Sequence, residues 1–286
     1  MAKNFSRDDV EHAVAYAHER GVKCYVTMNT AVLDRMMKDA MNQVEFLYRA
    51  GVDALIVADL GLAKEIHRSF PDFPIHASTQ CSAHNVDAAI FLQNLGFSRV
   101  VVARELDKDN LRTICQNAPI EIEAFVHGAL CVSQSGQCLL SSFIGGRSGN
   151  RGACAQPCRL PYAVGKKTGY PLSLKDLCLG EHVPALIDAG VASLKIEGRM
   201  KAPEYVHAVT RVWRRLLDER RAATADEMAY LAEIFSRGGF TDGYFASRIG
   251  SHMLGVRSEQ NKQTGKPYFN FSVTYQNHGP YETTKL

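Results

Sequence analysis

The chain has 286 residues, 46% of them hydrophobic and 22% charged, a balance that suits one large domain with a buried core. Its formal charge of +3 permits a nucleic-acid partner without arguing for one, and no run approaches the roughly 18 consecutive apolar residues of a membrane span. The first six residues hold no apolar stretch, so no secretory signal is read there, and the eight cysteines are expected to be reduced in a cytoplasmic protein.

Residues 8–19 read as a helix capped by Ser6 or Asp8. Residues 24–29 form a buried-strand pattern, and a helix over 32–50 stops at Gly51. A strand over 54–59 and a helix to about residue 70 follow, then strands at 75–78, 99–104 and 120–126. Apolar strands separated by helices predict parallel βα units. The rhythm breaks over 127–167, a stretch rich in Gly, Ser, Cys and Arg and too long to be an unorganised loop in a compact domain. It resumes with a helix over 181–189, stopped by Gly190, a strand over 193–197, and helices over 203–220 and 224–235. The arginines along 207–221 read as a solvated helix face. Residues 268–275 alternate with period two, like an antiparallel strand. The expected domains are therefore 1–260 and, over 261–286, the start of a truncated C-terminal β domain.

Six principal strands fall short of the eight in a closed barrel. The pattern leaves two α/β architectures, an open sheet or a TIM-type (β/α) barrel lacking its first two strands. The opening helix, with no strand before it, favours the barrel. On that reading the chain is a fragment that exposes unpaired strand edges.

Cys24, Cys81 and Cys115 read as small buried hydrophobes. The spacing Cys131-x6-Cys138-x15-Cys154-x3-Cys158 is different, because four thiolates hold either zinc or a 4Fe-4S cluster. Structural zinc favours two short knuckles, and only Cys154/Cys158 has that form, so the spacing suits a cluster better. Buried structural thiols or a redox pair are the alternative. Arg147, Arg151 and Arg159 are placed to offset thiolate charge.

Barrel chemistry sits at the C-terminal ends of strands. That rule gathers Asn29, Asp59, His76, Gln80, Arg104, Glu105, His127, Lys195, Glu197 and Arg199. His127 is an acid or base candidate. Lys195 and Glu197 alternate with Leu194 and Ile196, so both are expected in the lumen, where a charged pair is costly unless paired or used. Arg104 and Arg199 suit a phosphate or carboxylate, and Glu105 suits either arginine. Asn29, His76, Gln80 and Arg159 are the candidate substrate-binding residues. No Walker or Rossmann loop and no His-Glu-x-x-His motif is present.

The run from His127 through Cys131 and Cys138 to Ser141 resembles the signature of the peptidase U32 family, the collagenase-like proteases. Pro74 to Cys81, Val102 to Glu105, and Lys195 to Arg199 are similar to the same family, and Arg159 to Tyr162 resembles its 23S ribosomal-RNA cytidine-hydroxylation type. The resemblance implies a TIM-type barrel and oxygen-independent hydroxylation of an RNA base, ribosomal or transfer. It also implies a 4Fe-4S cluster on Cys131, Cys138, Cys154 and Cys158, with Cys178 competing for the fourth place. RNA and a small anionic co-substrate are the implied partners. The other readings are a collagenase-like peptidase and a non-catalytic, cluster-bearing RNA-binding scaffold.

Overall fold

Ala54, Leu55, Ile56 and Val57 are apolar in succession and all four are buried, so this strand needs cover on both faces. The computed structural model, which describes residues 4–256 apart from 136 and 200, supplies that cover from sheet and helices. Its elements are α1 (Arg7–His18), β1 (Tyr25–Met28), α2 (Met37–Arg49), β2 (Ala54–Val57), α3 (Leu60–Ser69), β3 (Ile75–Ala77), α4 (Val86–Asn94), β4 (Arg99–Val101), α5 (Lys108–Asn117) and β5 (Glu121–Ala129). There follow α6 (Leu140–Gly145), β6 (Tyr162–Val164), β7 (Lys167–Gly169), β8 (Asp176–Cys178), α7 (Val183–Ala189), β9 (Ser193–Ile196), α8 (Pro203–Asp218), α9 (Ala225–Ile234) and β10 (Phe240–Thr241).

Strands β1 to β5 lie side by side in chain order, all parallel, and β9 pairs parallel with β5. The order never reverses. Right-handed crossovers then put every connecting helix on the same side of the sheet, as in a barrel, and leave no switch point of the doubly wound kind. The six expected strands are these six, and together they form a partial (β/α) barrel. Among the described residues β1 pairs only with β2. The expected C-terminal strand at 268–275 lies outside the described residues.

Two expectations are corrected. Strand β5 does not end at Val126 but runs on to Ala129, where it pairs antiparallel with β8, which in turn holds β10. The stretch 127–167 is not loop throughout, since it contains the end of β5, the short helix α6 and the hairpin β6–β7. These pieces are only three to six residues long, too short to print a period in the sequence.

Polar residues just before the helices fix where each one starts. Asp59, Asn85 and Asp107 accept backbone bonds from Leu62, Ala88 and Asn110, and Ser6 and Thr224 complete capping boxes. The core lies between sheet and helices, where Leu55 and Val57 share one cluster with Leu62, Ile66, Leu111 and Leu186. Each such fully buried side chain stabilises the fold by about 1.5–3 kcal/mol. Helix α8 buries Tyr205, Val209, Val212, Trp213 and Leu216 on one stripe, while Arg214 pairs with Asp218 on the exposed side, as its sequence pattern predicts. Cys24, Cys81 and Cys115 pack against the core but are only partly buried. No helix among the described residues is long and apolar enough to cross a membrane.

One backbone position holds the two halves of the arc together. Gly128 sits at φ +108°, and a Cβ there would stand 2.7 Å from the Glu197 carbonyl oxygen at the end of β9. Replacing Gly128 by Ala is expected to destabilise the protein by roughly 2–3 kcal/mol, through strained backbone and a forced separation of β5 from β9. A thermal melt of the variant within error of the parent would contradict this close approach.

Candidate functional site

Alternation along the strands sends one set of side chains into the lumen, and β1, β3, β4, β5 and β9 contribute Tyr25, His76, Arg99, Glu123 and Lys195 to it. Glu123 of β5 is its centre, with Lys195 Nζ 2.7 Å from Glu123 Oε1 and Arg99 Nη1 3.3 Å from Glu123 Oε2. Arg99 also holds Glu121 at 2.8 Å and lies over the Tyr25 ring, against whose edge His76 packs. Burial pushes the Glu123 carboxyl up, but Lys195, Ser193 and Arg99 outweigh it and leave it below the usual glutamate range. Burial, with Arg99 adding to it, takes His76 down to about 4, so its ring is uncharged at neutral pH, and Nδ1 has no hydrogen-bond partner.

A second layer lies toward the C-terminal ends of the strands. Arg104 stacks 3.9 Å from the Phe125 ring centroid, with Nη2 3.7 Å from Glu197 Oε2. Burial lowers its pKa, while Glu197, Cys131 and Glu105 favour its charge. Its Nε has no partner. Buried Ser135 donates to Glu105 at 3.0 Å and accepts from the Arg104 amide. Glu197 accepts from the Arg199 amide at 2.9 Å, and the Arg199 side chain reaches the Gly152 carbonyl. Gly152 is at φ +69°, and a Cβ there would meet the Arg199 guanidinium at 2.8 Å. Arg199 thus joins the cysteine segment directly, and the Glu197 carboxylate is linked to it through Arg199. Lys195, two residues earlier on β9, belongs to the deeper layer with Glu123.

Asn29 and Gln80 take part in a latch. Asn150, which the sequence does not single out, accepts from the Ala31 amide at 2.9 Å and donates to the Asn29 carbonyl and to Gln80 Oε1. Gln137 adds bonds to the Gln80 carbonyl and Ser82. Five hydrogen bonds therefore pin residues 137–150 across the ends of β1 and β3.

Cys131, Cys138, Cys154 and Cys158 share one neighbourhood. Burial raises the Cys158 thiol, Arg159 opposes this, and Cys131, Cys154 and Cys138 each raise it further through their charge. The donor set has the right chemistry for a metal cluster, although no three metal-ligating side chains among the described residues are drawn within a single coordination distance. Cys178 is elsewhere. Its buried thiol touches Met228 Sδ at 3.7 Å, and burial pushes its pKa up to about 12.

Two sequence-based assignments are corrected by position. Arg159 donates to the carbonyls of Leu130 and Leu174 and to Ser173 Oγ, so its fork is a main-chain staple beside the thiols and not an open substrate contact. His127 is buried among the rings of Phe240, Tyr205 and Trp213, with neither ring nitrogen hydrogen-bonded, and burial takes it down to about 3. It is a neutral core histidine and lacks the contacts of an acid or base beside Cys131.

Residues 1–254 match the description "Peptidase family U32". The chain is 43% identical over 247 residues to the 23S rRNA 5-hydroxycytidine C2501 synthase of Escherichia coli, covering 84% of this chain and 36% of that protein. It is 37% identical over 230 residues to tRNA hydroxylation protein P1 of Bacillus subtilis, covering 76% and 54%. It is 34% identical over 290 residues to a collagenase of Porphyromonas gingivalis, covering 91% and 69%. The chain thus spans about a third of the first relative's length and about half of the second's. A solved U32 peptidase reaches a TM-score of 0.40 at 18% identity over 46% of this chain and 56% of its own.

The depressed Glu123 carboxyl makes part of the stability pH-dependent. A group held below its unfolded value contributes fully above that value and loses its contribution as pH falls. Stability is expected to decline as pH drops through and below 4.5, the ordinary glutamate value, and Glu123→Gln is expected to flatten that decline while lowering stability at pH 7 by about 3 kcal/mol. Equilibrium unfolding at several pH values measures both effects. For the latch, Asn150→Ala is expected to speed proteolysis within residues 137–158 several-fold with a stability loss of only about 1–2 kcal/mol. An unchanged cleavage rate would show that Asn150 does not hold the segment down.

Proposed function

The chain belongs to peptidase family U32, and from that premise we propose that it is the barrel of an iron–sulfur protein supporting oxygen-independent hydroxylation of an RNA base, ribosomal or transfer. The observation that carries this reading is the shared neighbourhood of Cys131, Cys138, Cys154 and Cys158, with Cys131 acting on Arg104, which pairs with Glu197. The printed names of the relatives that act on ribosomal and transfer RNA support it. RNA substrates accord with a cytoplasmic location.

Under this proposal the four cysteines hold a 4Fe-4S cluster, which supplies electron transfer when bound. The remaining roles fall to the chain's own side chains. Arg104 and Arg199 offer positive charge to a small anionic co-substrate, Glu197 aligns both, and Glu105 is held by Ser135 beside them. A peptidase reading requires a thiolate within reach of a base, and the aromatic surroundings of His127 leave it without that contact.

Anaerobic purification followed by iron and sulfide analysis tests the proposal, together with mass spectrometry of RNA nucleosides from cells with and without the gene. About four irons per chain are expected, lost in Cys158→Ser and kept in Cys178→Ser. A protein without iron and sulfide, or one whose iron survives replacement of all four cysteines, would overturn the cluster. An unaltered nucleoside profile would overturn the hydroxylation and leave the scaffold reading.

A further inference from the structure

No Asp or Glu occurs between Glu123 and Asp176, whereas an even spread of the chain's 30 acids would place about five there. The same interval carries Arg147, Arg151, Arg159, Lys166, Lys167 and Lys175. Charge balance at the thiols accounts for Arg159 but not for Arg151, Lys166 and Lys167, whose residues are exposed, with Arg151 donating through one nitrogen to the Ala31 carbonyl at 3.3 Å. Within this acid-free stretch stands α6, and apolar side chains on it and just before it face outward, with Leu139 61%, Phe143 84% and Ile144 65% exposed. Phe143 is the most exposed large hydrophobic among the described residues.

This tip is anchored. Buried Ser141 accepts from the Ala155 amide at 2.9 Å, its carbonyl accepts from the Arg147 amide, and Arg147 Nε donates to the Ala153 carbonyl at 2.8 Å. The first and third of these bonds tie α6 and the turn after it to the residues on either side of Cys154, itself exposed. A rigid apolar projection beside a functional cysteine, in a segment stripped of negative charge, fits one class of partner. Unpaired RNA offers bases that stack on an aromatic face and phosphates that meet cations.

We propose that Phe143, flanked by Leu139 and Ile144, is a stacking platform for an unpaired base of an RNA substrate, with Arg151 meeting the neighbouring phosphate. The proposal rests on the RNA reading above and adds where the strand docks. A membrane surface fits less well, since a six-residue helix exposing Phe143 and Ile144, with Leu139 just before it, falls short of the long amphipathic face that membrane binding uses.

The test measures binding of the full chain to a single-stranded RNA of about a dozen nucleotides carrying 2-aminopurine, whose emission is quenched by stacking. Phe143→Ala is expected to weaken binding at least about fivefold and abolish the quench, and Phe143→Trp to keep both. Arg151→Gln is expected to keep the quench and lower the salt dependence of binding by roughly one phosphate contact. Phe143 is so exposed that neither variant should perturb folding, and a thermal melt checks this. Binding and quench unchanged in Phe143→Ala would overturn the proposal. So would no binding by the parent chain, or loss in that variant only of sedimentation with anionic phospholipid vesicles or of self-association. Binding that depends on Phe143 in a protein that hydroxylates no RNA would uphold the platform and overturn the reaction. Hydroxylation with binding indifferent to Phe143 would do the reverse.

Discussion

Between Phe125 and His127 the pairing of β5 with β9 slips by one residue, and much of the site's layout follows from that slip. Without it, Glu123, Phe125 and His127 would all share the lumen face, because successive side chains alternate. With it, Phe125 stays inside beneath Arg104 while His127 turns onto Tyr205 and Trp213 of α8. A bulge also bends its strand and frees the next residues to find new partners. Strand β5 uses that freedom to pass from β4 and β9 to β8, so Leu130 and Cys131 emerge at the mouth. Gly128 is what lets Glu197 lie against the strand at that point.

The lumen concentrates charge where charge is expensive. An ion taken from water loses several kcal/mol of solvation, which only close pairing returns. The structure pairs in layers, with Arg99 and Lys195 sharing Glu123 below, and Arg104 set between the Phe125 face and Glu197 above. The upper layer is less satisfied, since Arg104 keeps an unpartnered Nε and stands 3.7 Å from its carboxylate, against 2.7 Å for Lys195 and Glu123. Loose pairing at the mouth and tight pairing beneath it is the distribution expected where a ligand completes the upper layer.

The sequence made the scaffold readable because the scaffold is periodic. Runs such as Ala54–Val57 carry their own signature, and the two-residue step from Lys195 to Glu197 announces inward charge. Their partners were hidden: Glu121 and Glu123 alternate in a strand that reads equally well as an edge. The turn of His127 onto α8 was not legible, because a one-residue slip leaves no mark in composition. Asn150 and Ser135 look like linker residues in a Gly- and Ser-rich stretch, and only the fold shows that one latches and the other clasps Glu105. Arg159 looked available because its acceptors are main-chain carbonyls, which no sequence pattern displays.

The four cysteines reach their common neighbourhood along two separate routes. Cys131 follows directly from β5, and Cys158 is next to Arg159, whose fork ties Leu130 to Leu174, so these two are fixed to the barrel. Cys138 and Cys154 travel with the segment that Gln137 and Asn150 hold down by bonds to Gln80 and Ala31, while Arg147 braces it internally against Ala153. Ordering a free loop costs about 1–2 kcal/mol per residue, so a segment already latched gives up far less on gathering its thiols. The polar bonds that look incidental in the sequence therefore lower the ordering cost that a group bound by all four sulfurs would have to meet.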